Sequence, residues 1–202
     1  MEKTIEAIIQ ERRTIRQDSS EAIAIEVVNK LLGTAAYAPF HSKTEPWQVY
    51  LLQGEADHQS YINEVLACYR RLGIWQEHGP DKVQEWEERL KAYFERVPLS
   101  MIVTCQVTGE EKADFEAVLA TAAFIQNLQL LAWNQGLGVT WRTTAEIFDS
   151  TFTTQLNIPA TERIVGSLQF TKHVGKTPKA KRRRPLSEWV KPLQEQEHQT
   201  DE

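Results

Sequence analysis

From Ala117 to Gln135 the chain runs 19 residues without a charge. About 20 apolar residues suffice to cross a bilayer, so the first question is which solvent this stretch meets. Thr121, Gln126, Asn127, Gln129, Asn134 and Gln135 are spread along it, and such groups are costly in hydrocarbon. The stretch therefore reads as a fully buried helix, in a core or at an interface between subunits. A chain that must bury such a helix needs other layers to cover it.

The remaining pattern supplies those layers. Ile5, Ile8 and Ile9 predict a short helix with Thr4 as its N-cap, and Ser19 or Ser20 can cap a second helix running through Leu32. Pro46 to Leu52 reads as a strand with proline at its first position. Residues 55–72 and 81–95 read as helices separated by Gly79-Pro80. Leu99 to Val107 is the clearest strand, followed by the uncharged helix from about Lys112. Gly136 and Gly138 stop that helix, and Val139 to Arg142 is a short strand. Asp149 or Ser150 caps a brief helical turn, and Arg163 to Phe170 is another strand. Strands separated by long helices imply an α+β or α/β layered domain, with strand pairing left open.

A length of 202 residues fits one domain, and a net charge of −5 does not favour nucleic acid or an anionic membrane. The two cysteines, Cys68 and Cys105, are too few and too scattered for a disulfide framework or a zinc site. The N-terminus lacks a basic-then-apolar secretory pattern. A cytoplasmic protein with no membrane or nucleic-acid partner is expected. The last ten residues, 193–202, are polar and read as a disordered tail.

Against this acidic background the cations are bunched. Arg12, Arg13, Thr14 and Arg16 place three guanidinium forks and a hydroxyl within five residues, a set suited to phosphate oxygens. In an extended segment Arg12, Thr14 and Arg16 line one wall. Alone, the cluster equally suits a solvated turn paired with Glu11 or Asp18. Lys172 to Pro185 holds seven cations in 14 residues. No aromatics interleave them, so a loop closing over a phosphate explains them better than a nucleic-acid patch. The Tyr37–Trp47 segment places His41, Ser42, Lys43 and Thr44 in a loop between helix and strand. Gly136-Leu137-Gly138 follows a helix and precedes a strand, the reverse of a dinucleotide-binding fingerprint. No nucleophile–base pair, paired carboxylates or metal-ligand spacing stands out, which favours a cofactor carrying the chemistry.

In order and spacing these segments resemble the nitroreductase family. Arg12-Arg13-Thr14-Ile15-Arg16 is similar to its Arg-Arg-Ser-x-Arg motif, with Thr14 keeping the hydroxyl. Ala38-Pro39 to Pro46-Trp47 resembles its Ala-Pro…Gln-Pro-Trp segment, with Glu45 in place of Gln. Gly136-Leu137-Gly138 with Trp141-Arg142, and the closing Arg183-Arg184-Pro185-Leu186, resemble two more. The resemblance implies an α+β fold with a central, mainly antiparallel sheet flanked by helices, forming an intertwined homodimer. It implies one FMN-binding domain over residues 1–192, with 73–97 as a variable helical cover.

By the same resemblance, Arg12, Arg13 and Thr14 join the cofactor site, with Arg12 and Thr14 at the phosphate and ribityl end. Arg16 faces the pyrimidine edge, and Lys181 and Arg183 hold the phosphate. His41 and Lys43, with Tyr37, belong to the loop reaching the flavin of the other subunit. Trp141, Arg142 and Thr143 lie beside the flavin. His41 and Lys43 stand where many members carry Ser and Asn, so the loop's contacts and substrate preference are this chain's own. The activity implied is FMN-dependent reduction of nitroaromatic, quinone or related small-molecule acceptors by NAD(P)H, in a ping-pong hydride transfer. Reductive dehalogenation or flavin-consuming chemistry, and a non-enzymatic basic-loop binding module, are the alternatives.

Overall fold

A computed structural model describes residues 3–16, 19–52 and 54–193; the expected tail beyond Leu193 lies outside them. Four strands form one sheet: β1 (Trp47–Leu52), β2 (Leu99–Gln106), β3 (Leu137–Arg142) and β4 (Glu162–Lys172). Their order is β1-β2-β4-β3 and every pairing is antiparallel. The open question of strand direction is thus settled as α+β. The helices are α1 (Ile5–Glu11), α2 (Ile25–Ala35), α3 (Gly54–Arg71), α4 (Pro80–Glu95), α5 (Glu111–Asn134) and α6 (Ser150–Gln155). Single 3-10 turns follow at Ala145–Phe148 and Leu186–Glu188.

Side chains of a strand alternate between faces, and β2 shows what each face meets. Leu99, Met101, Val103 and Cys105 enter a core with α2 and α5, while Ile102 enters a second core with α3, α4 and α6. On β4 the phase changes. Val103 pairs with Gly166 but Thr104 pairs with Ile164, so Val165 is extra. That bulge lets Ile164 face the second core while Val165, Leu168 and Phe170 face the first.

One expectation is corrected. The second helix begins at Ile25, with Ala24 at its N-cap and no side-chain cap. Ser19 and its neighbours are drawn elsewhere. The Ser19 N–H donates to Thr171 Oγ1 (2.9 Å), and the Thr171 hydroxyl donates to the Ser19 carbonyl (2.7 Å). Docking on the end of β4 outcompetes the local cap. The uncharged helix, expected in a core or at an interface between subunits, is core along one face and open along another in one chain. Ala120, Phe124, Ile125, Leu128 and Ala132 enter the core, yet Phe115 and Leu119 are 63% and 52% exposed. Among the described residues α5 is the one helix long and apolar enough to cross a membrane, and one face of it is core.

Gly136 and Gly138 divide the work expected of both. Gly136 has φ +73 and ends α5, whereas Gly138 lies inside β3. Both cysteines are buried and free. Cys68 is pushed up to about 12, first by burial and then by donating to Asp149. Cys105 is pushed up to about 11, mainly by burial.

Candidate anion-binding cleft

The N-terminal cluster is positioned by one isoleucine. Ile15 is buried with Ile8 and Trp133 and lies flat on β3. A Cβ at Gly138 would sit 2.3 Å from the Ile15 Cβ, so only glycine permits this approach. The Thr140 hydroxyl donates to the Ile15 carbonyl (2.9 Å) and fixes the backbone there. With Ile15 pinned inward, Thr14 and Arg16 stay exposed on either side of it.

Arg12 and Arg13 have different surroundings. Arg12 caps α1 through its backbone N–H to the Ile8 carbonyl (2.9 Å), leaving its side chain available. Its pKa is lowered by burial first, then by the charges of Arg13 and Arg183. Arg13 folds back, and its Nη1 donates to the Gln10 and Arg12 carbonyls at 2.7 Å each. A cation there satisfies carbonyls left open at the helix end.

The second cluster arrives from the far end of the chain. The His173 N–H donates to the Gly136 carbonyl (2.8 Å). Its ring stacks on Trp133 at 5.4 Å and 24°, and its Nε2 meets Thr177 Oγ1 at 2.9 Å. From this anchor the chain runs back past α1. The result is a cleft of about 980 Å³ whose walls include Arg12, Arg13, Thr14, Arg16, Lys176, Lys179, Lys181 and Arg183. Seven of those eight side chains are cationic. Among the described residues, none of the seven has a carboxylate within ion-pair distance. Glu11 pairs with Lys3 at 2.5 Å instead, and Lys172, at the end of β4, pairs with Glu21. Asp18 lies outside the described residues.

The other expected site residues are not brought to this cleft within one chain. Trp141 lies over Gly166 and donates from Nε1 to the Val165 carbonyl (3.3 Å). Arg142 sits over the rings of Tyr93 and Phe94, at 5.7 and 5.4 Å, which ties the end of β3 to α4. Thr143 is exposed. Tyr37 is 91% exposed and Lys43 is exposed. His41 borders a separate cavity of about 470 Å³ with Pro39, Phe115 and Leu119, against the uncovered face of α5. The cleft also contains His173, Lys176 and Lys179; both lysines belong to the basic loop expected to close over a phosphate, although the motif resemblance singled out only Lys181 and Arg183 there.

The sheet-edge cleft gathers Arg forks and lysines with no carboxylate in its lining, the kind of donor set from which phosphate oxygens accept. The sequence matches the Nitroreductase family over residues 9–172, and the chain belongs to that family. YfhC of Bacillus subtilis, provisionally named an NAD(P)H nitroreductase, is 32% identical over 179 residues, 89% of each chain. The crystal structure of a nitroreductase-like family protein from Bacillus cereus is 27% identical and superposes with a TM-score of 0.83, covering 96% of this chain and 98% of that one. The FMN-dependent nitroreductase NfnB of Mycobacterium smegmatis, solved with NADPH, shares the fold at a TM-score of 0.67 and 16% identity, over 92% and 96% of the chains.

Proposed function

We propose that the protein is an FMN-dependent oxidoreductase that uses NAD(P)H to reduce nitroaromatic, quinone or related acceptors by a ping-pong mechanism. The observation that carries this reading is the convergence of Arg12–Arg16 with Lys176–Arg183 on one cleft without carboxylates. Those residues fit a phosphorylated flavin: forks and lysines for the phosphate, a hydroxyl for the chain beyond it. Bound FMN would supply the redox chemistry, accepting a hydride at N5 and passing the electrons to the second substrate.

The side chains' work is binding and electrostatics. Arg12, Thr14, Lys181 and Arg183 hold the phosphate and ribityl end. Arg16, exposed beside the wedged Ile15, places a cation at the pyrimidine edge, where it favours the negative charge of the reduced ring. Arg13 braces α1 beneath them. No side chain of this protein exchanges a proton or forms a bond in this scheme.

The reading includes a homodimer. Phe115 and Leu119 leave an apolar strip of α5 uncovered beside His41. A second copy seated there supplies the 37–47 loop to the neighbouring cleft, consistent with Tyr37, His41 and Lys43 lying away from their own. In this reading the flavin ring extends out of the cleft toward the end of β3, where Trp141 and Arg142, with Thr143 just beyond the strand, flank it.

The deciding experiment is the absorbance spectrum of the purified protein, followed by anaerobic titration with NADH and NADPH and a screen of nitro, quinone and halogenated acceptors. A flavin spectrum bleached by a nicotinamide and restored by a nitroaromatic or quinone is expected. A colourless protein that fails to take up FMN overturns the reading, and turnover confined to halogenated acceptors replaces it with reductive dehalogenation. Arg16→Ala should lower the flavin potential or loosen FMN; unchanged potential and affinity remove Arg16 from its role.

A further inference from the structure

The cleft carries more positive charge than a flavin phosphate uses; this inference rests on the FMN reading above. A phosphate monoester offers three terminal oxygens and at most two negative charges. Arg12, Thr14, Lys181 and Arg183 already present more donors than those oxygens accept. Arg13 is committed to the Gln10 and Arg12 carbonyls. Lys176 and Lys179 are left over. Both are exposed, both line the cleft, and neither has a carboxylate within ion-pair distance among the described residues. They lie between the His173 anchor and Lys181, so they occupy the stretch that leads into the phosphate-holding end.

Bunched cations repel one another and persist when a ligand repays the cost. The ligand must share the cleft with a resident flavin and bring further negative charge. The residue types separate the two tasks. Arginine forks hold a planar set of oxygens in fixed geometry, suited to a group that stays. Lysine is a point charge on a flexible stem, suited to a group that enters and leaves at each turnover.

We propose that Lys176 and Lys179 bind the ribose 2′-phosphate of NADPH and make this protein selective for NADPH over NADH. The two nucleotides differ by that phosphate alone, and two unpaired lysines lining the cleft are suited to meeting it.

The test uses the FMN-loaded protein and two readouts. Calorimetry compares adenosine 2′,5′-bisphosphate with AMP, and steady-state kinetics compare kcat/KM for NADPH and NADH. The bisphosphate is expected to bind at least about tenfold more tightly than AMP, the scale of one charge-assisted contact. Lys176→Ala with Lys179→Ala should abolish that difference and lower the NADPH:NADH ratio by about the same factor through KM. Replacing both by arginine should preserve most of it. The inference is overturned if the wild-type protein binds bisphosphate and AMP equally, if it uses NADH as well as NADPH, or if the alanine pair weakens FMN as much as NADPH. Failure of the FMN reading is visible separately, as a protein that takes up no flavin, and removes both.

Discussion

Arginines on α3 and arginines in the cleft are the same side chain in opposite company. Arg70 reaches across to α4 and grips Glu87 with two donors, Nε to Oε1 at 2.7 Å and Nη2 to Oε2. Arg71 pairs with Asp149, which also caps α6 and accepts from the Cys68 thiol. Arg12, Arg16 and Arg183 have no such partner among the described residues. A cation with a carboxylate holds the protein together, whereas a cation among cations waits for something from outside. The net charge of −5 makes the contrast sharper, because carboxylates are abundant and are absent where the cleft needs an anion.

The comparison breaks if the two kinds of arginine respond alike to substitution. The largest effect is expected in the cleft. Arg12→Ala with Arg183→Ala should raise the FMN dissociation constant roughly 10²- to 10⁴-fold, from two charge-assisted contacts at about 1.5–3 kcal/mol each. The melting temperature without flavin should hold or rise, since Arg13 and Arg183 crowd Arg12; fluorescence titration and a thermal scan read the two. Gly138→Val probes the seat rather than the charges. With 2.3 Å between an added Cβ and the Ile15 Cβ, it should cost about 1–3 kcal/mol and loosen FMN while leaving every cation in place.

On the paired side, Asp149→Ala should cost about 1–2 kcal/mol in denaturant titration, with FMN affinity unchanged. Burial raises the Asp149 pKa, but hydrogen bonds from Arg71, Cys68 and Thr151 outweigh it, and the carboxyl lies below its usual range. Its contribution is therefore complete above the unfolded value near pH 4 and fades as pH falls through the folded one. The acid limb of the stability profile should shrink in the variant. Arg70→Ala is the smallest, about 0–1 kcal/mol, and 0.5 M salt should mask most of it.

Much of this fold is written locally. Thr4 accepts from the Ala7 N–H as an N-cap should, Asp149 caps α6, and the alternation through Leu99–Cys105 marks the central strand. What local pattern misreads is set by distant contacts. Ser19 looks like a helix cap until Thr171, 152 residues away, takes its backbone. Gly138 looks like a helix stop until Ile15 fills the space above it. The meeting of Arg12 with Lys181 and Arg183 is of the same kind. No periodicity encodes it, and only the resemblance to a family suggested it beforehand. Tyr37, His41 and Lys43 lie away from the cleft within one chain, and nothing in their local sequence signals that separation.

The two sealed thiols bear on how an oxidoreductase guards its own electrons. A thiolate close to a flavin is a competing redox partner, able to form a disulfide or climb to sulfenic acid. Cys68 and Cys105 are buried, and at pKa values of about 12 and 11 fewer than roughly one in 10³ is ionised at neutral pH. Under the proposed flavin chemistry neither sulfur offers a side exit for reducing equivalents, so thiol-blocking reagents should leave turnover by the folded protein intact.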